Sequence, residues 1–274
     1  MADRNTRSNL IIDVGAHNGD DTAYYLHLGY RVIAIEANPE LTEDIKRRFP
    51  TEVEAGTLTV LNVGVAHRPC ILPFCVSDDK TVLSSFDRAL VETHSKNIRV
   101  VPVECTTLDT VIRSYGVPYY VKIDIEGYDH VAVDGLTHET RPQYVSCELT
   151  HTEGLIPKLY ALGYRRFKLV NQSTYTDATP VFDNEIGFRA MRKACGFAPV
   201  LKRLVPNGVR VDFDKSVVCS SYAFPQGSSG PFAEGTFGRW WSREDAERRY
   251  ERIRERYVTA GVPLEQCWFD VHAS

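Results

Sequence analysis

The stretch from Asn9 to Glu36 leaves little choice of fold. Asn9-Leu10-Ile11-Ile12-Asp13-Val14 is an apolar run that stops at Gly15. Asp20 to Leu28 has helical patterning closed by Gly29, and Arg31-Val32-Ile33-Ala34-Ile35-Glu36 is a second apolar run. Two such runs joined through a helix make a β-α-β unit, in which the strands lie parallel and the crossover is right-handed. The near-continuous apolarity of both runs suits strands covered on two faces.

The alternation continues. Asn38-Pro39 opens a helix through Arg48 that ends at Phe49-Pro50, and Leu58 to Val63 reads as a third strand. Leu72 to Val76 and Arg99 to Val103 read as strands around a short helix between Asp87 and Lys96. Helices over Leu108–Tyr115, Tyr128–Leu136 and Leu155–Leu162 then separate strands over Tyr119–Asp124, Gln143–Glu148 and Arg165–Val170. The pattern predicts an α/β fold with a doubly wound, mainly parallel sheet and a ligand crevice at the carboxyl ends of the strands. Beyond Asn171 the chain turns to Pro, Gly and Ser as far as Trp241, an irregular extension followed by one charged terminal helix. Ser242 caps that helix, Ala246, Tyr250, Ile253 and Tyr257 form its narrow stripe, and Glu244 with Arg248 and Asp245 with Arg249 are spaced to pair. Residues 1–170 are read as the ligand-binding core and 171–274 as a cover on the acceptor side of the same domain.

Several function classes drop out. No run reaches the ~18 apolar residues of a membrane span, and the first eight residues carry no apolar signal core. The net charge of −4 gives no general surface for nucleic acid. Seven cysteines, an odd number with several inside apolar runs, read as buried thiols in a reducing cytoplasm and not as a disulfide framework.

Where the first strand meets the first helix stands Asp13-Val14-Gly15-Ala16-His17-Asn18-Gly19. Small residues there let a ligand approach the backbone, and N–H groups at the helix start can bind its polar end. Gly15 and Gly19 do not have the G-x-G-x-x-G spacing of a pyrophosphate site, which argues against a nicotinamide oxidoreductase. Twenty-three residues after Asp13, Glu36 ends the second strand, where a carboxylate can accept both hydroxyls of a ribose. A ligand with a ribose and an amino acid but no phosphate fits this pair of features, and S-adenosylmethionine is such a ligand. A plain α/β turn beside a surface glutamate is the bland alternative.

The sequence also resembles the FkbM family of class I methyltransferases. The resemblance rests on Ile12 to Gly19, on Ala34-Ile35-Glu36-Ala37-Asn38-Pro39, on Thr107-Leu108-Asp109 and above all on Val121-Lys122-Ile123-Asp124-Ile125-Glu126-Gly127-Tyr128. It runs from about residue 9 to 150, and Ser228-Ser229-Gly230-Pro231-Phe232 is similar to a tail motif of some members. It implies a Rossmann-like fold and S-adenosylmethionine as cofactor. Asp13, Gly15, Ala16, His17, Asn18 and Gly19 would then surround the methionine part, Glu36 and Ala37 the ribose and an adenine edge, Gly64 and Val65 the adenine face, with Asn62 nearby. Ser84 and Ser85 fall where related proteins carry small polar residues facing the cofactor.

Acids gather at the later strand ends. On a strand, alternate side chains share a face, which places Lys122, Asp124 and Glu126 together, and Glu148 ends the next strand with His151 three residues on. Methyl transfer needs the acceptor aligned with the breaking bond and a proton removed from it. Asp124, Glu126, Glu148 and His151 are the candidates for that chemistry. In one reading Asp124 meets the cofactor's ammonium and Glu126 or Glu148 deprotonates a hydroxyl. In another, less favoured, Asp124, Glu148 and His151 hold magnesium or manganese. In a third, Lys122 forms a structural ion pair with Asp124 or Glu126.

His67 is read as either near adenine or solvated, and His27, His94, His130, His138 and His272 as surface residues. The aromatic residues between 171 and 241 are read mainly as a second small core, and the seven bases against two acids between Gly187 and Lys215 as a solvated loop or a basic lid. The family's association with small-molecule acceptors leads to an expected O-methyltransferase acting on a sugar or polyketide-type hydroxyl. N-methylation of a small amine and a catalytically silent adenosylmethionine-binding protein are the alternatives.

Overall fold

The computed structural model describes residues 8–149, 154–172, 176–177, 209–212, 216–219, 222–225, 227–236, 238–259 and 268–274. An eight-stranded sheet forms its centre. In spatial order it runs β10 (Thr176–Asp177), β9 (Phe167–Asn171), β14 (Phe269–Ala273), β8 (Tyr144–Glu148), β7 (Tyr120–Ile123), β1 (Leu10–Val14), β2 (Arg31–Ile35) and β3 (Leu58–Leu61). β1 pairs parallel with both β2 and β7, so the strand order reverses at β1 and a crevice opens beyond its carboxyl end.

The local reasons for these elements are legible. α2 (Pro39–Arg48) has Asn38 as its cap, whose side chain accepts from the Glu40 N–H, and proline at its first position. α2 ends at Arg48 before Phe49-Pro50 as expected, and Pro50 opens a further short helix, α3 (Pro50–Glu54), that the sequence pattern did not reveal. α1 (Asp20–His27) starts after Gly19, which holds φ +81°, a conformation that favours glycine.

The two sheet faces differ in chemistry. Ile12, Val14, Val121, Ile123, Val145, Cys147, Leu169 and Val271 point to one side and form a single apolar core with α5 (Leu108–Tyr115), α6 (Asp129–Asp134), α7 (Leu155–Ala161) and α8 (Arg243–Thr259). On the opposite face Ile11, Val32, Ala34 and Tyr120 pack with Tyr25 of α1, Ile45 of α2 and Phe232. The Phe232 ring stacks on Tyr120 with centroids 4.6 Å apart, so the Ser228–Phe232 tail is part of the core. Toward the strand ends that face becomes polar, because Asp13, Lys122, Ser146, Glu148, Asp270, His272 and Lys168 follow one another across the register.

A second sheet forms from the hairpin of β5 (Cys70–Ser77) and β6 (Ile98–Thr106), with β4 (Gly64–Val65) parallel to β6. Asn62 and Val63, read from sequence as the end of the third strand, leave the central sheet and lead into β4. The helix expected between Asp87 and Lys96 is α4 (Arg88–His94), capped by Asp87. A third antiparallel sheet is made by β11 (Val209–Asp212), β12 (Ser216–Cys219) and β13 (Tyr222–Pro225). Tyr222 and Phe224 pack on Tyr24, with centroids 4.8 and 4.6 Å away.

Three expectations are corrected. β14 runs antiparallel between β8 and β9, a strand the sequence did not reveal, because Asp270 and His272 interrupt its apolar positions. His272 is therefore buried and not on the surface. On α8, Asp245 pairs with Arg248 at 2.7 Å and not with Arg249, which covers the Trp241 ring instead. Ser242 accepts from the Asp245 N–H as a cap should, and Ala246 and Ile253 are buried. The side chains of Tyr257, Tyr175, Phe182, Phe188, Phe197, Phe213 and Phe237 lie outside the described residues, as does most of the basic segment. Among the described residues no helix is long and apolar enough to cross a membrane.

Candidate functional site

A cleft opens where β1, β2 and β7 end, and Gly15, His17, Glu36, Ala37, Gly64, Val65, Asp124 and Glu126 all line it. Its geometry depends on the glycine turn. The Ile35 carbonyl accepts from both the Gly15 and Ala16 N–H groups at 3.0 Å, and the Asp124 N–H donates to the Val14 carbonyl. Gly15 has φ +81°, and a Cβ placed on it would overlap the Asp124 carbonyl oxygen. Only glycine lets β1 and the end of β7 approach this closely.

Glu36 sits at the rim of β2. Its carboxylate accepts from the His17 N–H and the Asn38 N–H, each at 2.7 Å. Burial pushes its pKa up to about 7, against the two backbone donors that favour its charge. These bonds correct one expectation about the turn: the N–H groups of Gly15, Ala16, His17 and Gly19 are all satisfied within the protein. The turn is wound too tightly against β2 to leave them for a ligand. His17, at φ +48°, bonds through Nε2 to the Thr81 hydroxyl, and burial followed by the charge of Lys122 lowers its pKa.

The other sequence candidates stand behind the lining. Asp13 is fully buried, accepts from the Thr22 hydroxyl at 2.7 Å and has its pKa raised to about 6, chiefly by burial. Ala16 packs in the core, and the Asn18 side chain bonds to Asp20 on the surface. Gly19 lies against Phe49, whose ring edge would stand 3.0 Å from a Cβ at that position. Asn62 donates to the Glu36 and Ala37 carbonyls, which fixes the loop after β2. His67 is exposed.

Sequence reading missed the apolar walls: Leu41, Val63, Phe74, Phe86 and Ile125 line the cleft, and Thr81 and Val82 overhang it. Phe74 and Phe86 lie on or after the β5 hairpin strand, an ordinary apolar pattern with no motif to flag it. Ser84 also lines the cleft, while the Ser85 hydroxyl donates to the Glu126 carbonyl at 2.7 Å.

Asp124, Glu126 and Glu148 converge, with carboxylate oxygens within 4.8 Å of one another. The convergence does not come from strand alternation. β7 stops at Ile123, and Glu126 reaches the cluster through a turn in which it and Gly127 have φ +47° and +84°. Lys122 is buried and lies 3.1 Å from Asp21, 3.3 Å from Asp124 and 3.7 Å from Asp13. Burial works against its charge, but Asp124, Asp21 and Asp13 outweigh that and hold it protonated.

Among the described residues no ion pair forms with either glutamate, and Lys122 only partly offsets the shift at Glu126. Burial first, and then neighbouring carboxylates, push both well above the usual range; for Glu126 the neighbours are Asp124 and Asp129, for Glu148 they begin with Glu126 and Asp124. Asp129, whose Oδ1 accepts from the Glu148 N–H, is raised to about 8, and Asp270 is raised as well. The arrangement can hold a cation or exchange a proton through a carboxyl group. His151 lies outside the described residues.

The sequence profile of the methyltransferase FkbM domain matches residues 13–173. Among solved structures, the chain is similar to methyltransferase FkbM from Methylobacillus flagellatus KT, at 20% identity over 57% of this chain and 38% of that one, with a TM-score of 0.41. It is also similar to precorrin-6y C5,15-methyltransferase from Geobacter metallireducens GS-15, at 14% identity over 62% and 71% of the two chains, with a TM-score of 0.34. The first match spans less than half the length of that relative. No curated protein matches the chain.

Proposed function

Because the chain belongs to the FkbM methyltransferase domain family, we propose that it transfers a methyl group from S-adenosylmethionine to a hydroxyl of a small molecule, a sugar or a polyketide-type natural product. The observation that carries this reading is that the cleft between Gly15, Glu36 and Gly64 runs directly into the carboxylates of Asp124 and Glu126. The cofactor fits what is present. Gly15 leaves the floor bare, Glu36 stands at the β2 rim, and Val65, Phe74 and Phe86 give the cleft an apolar wall against which a flat base can lie.

When bound, S-adenosylmethionine supplies an electrophilic methyl on a sulfonium. Asp124 would offer its ammonium a carboxylate, and Glu36 would accept from its ribose. Glu126 and Glu148 orient the acceptor hydroxyl. With both carboxyls raised by burial and by neighbouring carboxylates, one of them would take the hydroxyl proton. The apolar walls exclude water from the line of transfer.

A divalent cation is the second reading, and the 4.8 Å grouping favours it. Magnesium or manganese would lie on Asp124, Glu126 and Glu148, with Glu126 in the place that the sequence reading gave to His151. Incubation with methyl-labelled S-adenosylmethionine and panels of hydroxyl-bearing and amine-bearing acceptors tests the proposal. Label on an oxygen supports it; label on nitrogen only replaces it with the N-methyltransferase reading. Affinity for S-adenosylmethionine with no transfer to any acceptor favours the silent binding protein.

A further inference from the structure

The hairpin behind the cleft carries two cysteines that no step above uses. Cys70 begins β5 and Cys105 lies near the end of β6, and the antiparallel register sets them directly opposite each other. Residues opposed in this way have Cα atoms about 4.5–5.5 Å apart, inside the range a disulfide spans without backbone movement. The Cys105 thiol donates to the Val103 carbonyl of its own strand at 3.5 Å. Both are free thiols, Cys105 buried and Cys70 half-buried. Among the described residues no other two cysteines are opposed in this way: Cys75 faces Val100, Cys147 faces Ile123 and Val271, and Cys219 faces Val209 and Tyr222.

Its location matters as well. Cys105 also pairs with Gly64 of β4, and a Cβ on Gly64 would come 2.8 Å from the Cys105 sulfur. The pair therefore stands directly behind the cleft wall formed by Gly64 and Val65.

We propose that Cys70 and Cys105 are a modification site, at which a low-molecular-weight disulfide oxidises the two thiols to one intramolecular bridge behind the cleft wall. The half-buried Cys70 sulfur, as thiolate, attacks one sulfur of the small disulfide and releases one small thiol. Cys105 then attacks the Cys70 sulfur of that mixed disulfide, the second small thiol leaves, and two protein S–H groups have become one S–S bond. Burial, and then the neighbouring Cys70, push the Cys105 thiol up to about 11, so the second step is the slow one and quickens with rising pH.

The test uses the full chain incubated with oxidised glutathione between pH 7 and 9, followed by alkylation and peptide mass spectrometry. The expected result is loss of two alkylatable thiols out of seven and one cross-linked peptide joining Cys70 to Cys105. Dithiothreitol should restore both thiols. Oxidised protein should melt higher than reduced protein, since the bridge closes a loop in the unfolded chain, and Cys70→Ser should abolish that rise without needing the buried Cys105 to be changed. A stable glutathione adduct on Cys70, a bridge between any other two cysteines, or full recovery of seven alkylated thiols after oxidation would each overturn the proposal.

Discussion

The Asp124 carbonyl oxygen occupies the space in which a side chain on Gly15 would begin. The turn after the first strand and the acidic end of β7 are thus one construction, and neither can shift without the other. Gly15→Ala adds a methyl at φ +81° against backbone that cannot rotate away. The left-handed conformation alone costs about 1–2 kcal/mol, and the overlap adds to it. The variant should lose S-adenosylmethionine binding by at least tenfold in calorimetry and melt lower than wild type. Wild-type affinity would show that the cofactor does not use this floor.

Glu36→Ala should weaken cofactor binding by about 1.5–3 kcal/mol, because a ribose would lose its charged acceptor and His17 and Asn38 would lose theirs. Titration with S-adenosylhomocysteine, which avoids turnover, measures this. Unchanged affinity would refute the role given to Glu36.

Glu126→Gln and Glu148→Gln should leave cofactor affinity and melting temperature close to wild type while turnover falls about 10²–10⁴-fold, the usual loss for a positioned general base. Near-normal rates in both would make the cluster structural. If turnover instead disappears with a chelator and returns with magnesium or manganese, the cation reading replaces the base.

Stability should depend on pH through Asp129. Its carboxyl titrates at about 8 in the folded protein against an ordinary 3.8, mainly because it is buried. The folded state therefore holds a proton that the unfolded state has released, and stability declines as pH rises from about 4 to about 8. Asp129→Asn keeps an acceptor for the Glu148 N–H and removes the titration. Its melting temperature should fall less between pH 5 and 8 than that of wild type; parallel curves would show that Asp129 does not govern the decline.

Phe232→Ala should destabilise by about 3–5 kcal/mol, the cost of emptying a core site filled by an aromatic ring. The ring stacks on Tyr120, and nearby the Ser229 N–H donates to Asp21, itself a partner of Lys122. A drop in melting temperature with little change at the β5–β6 hairpin, followed by hydrogen exchange, is the expected pattern. A variant as stable as wild type would remove the tail from the core.

The amino-acid sequence determined the alternation of strands and helices, the glycine turn and the membership of the family, because each of these is written in short-range patterns of apolar period and turn chemistry. Asn38-Pro39 opens its helix where the residues say it must, and Gly15 is followed by the conformation only glycine allows. What the tertiary structure decided depends on contacts between distant segments. Asp270 and His272 hide a strand whose two neighbours, β8 and β9, lie far back in the chain. Phe74 and Phe86 become cleft walls only when the hairpin folds over β4, and Glu126 joins Glu148 through a left-handed turn that strand periodicity cannot express. Lys122 meets Asp13, Asp21 and Asp124 at once because three elements converge on one buried ammonium, and no local pattern encodes a charge balance assembled from three places in the chain.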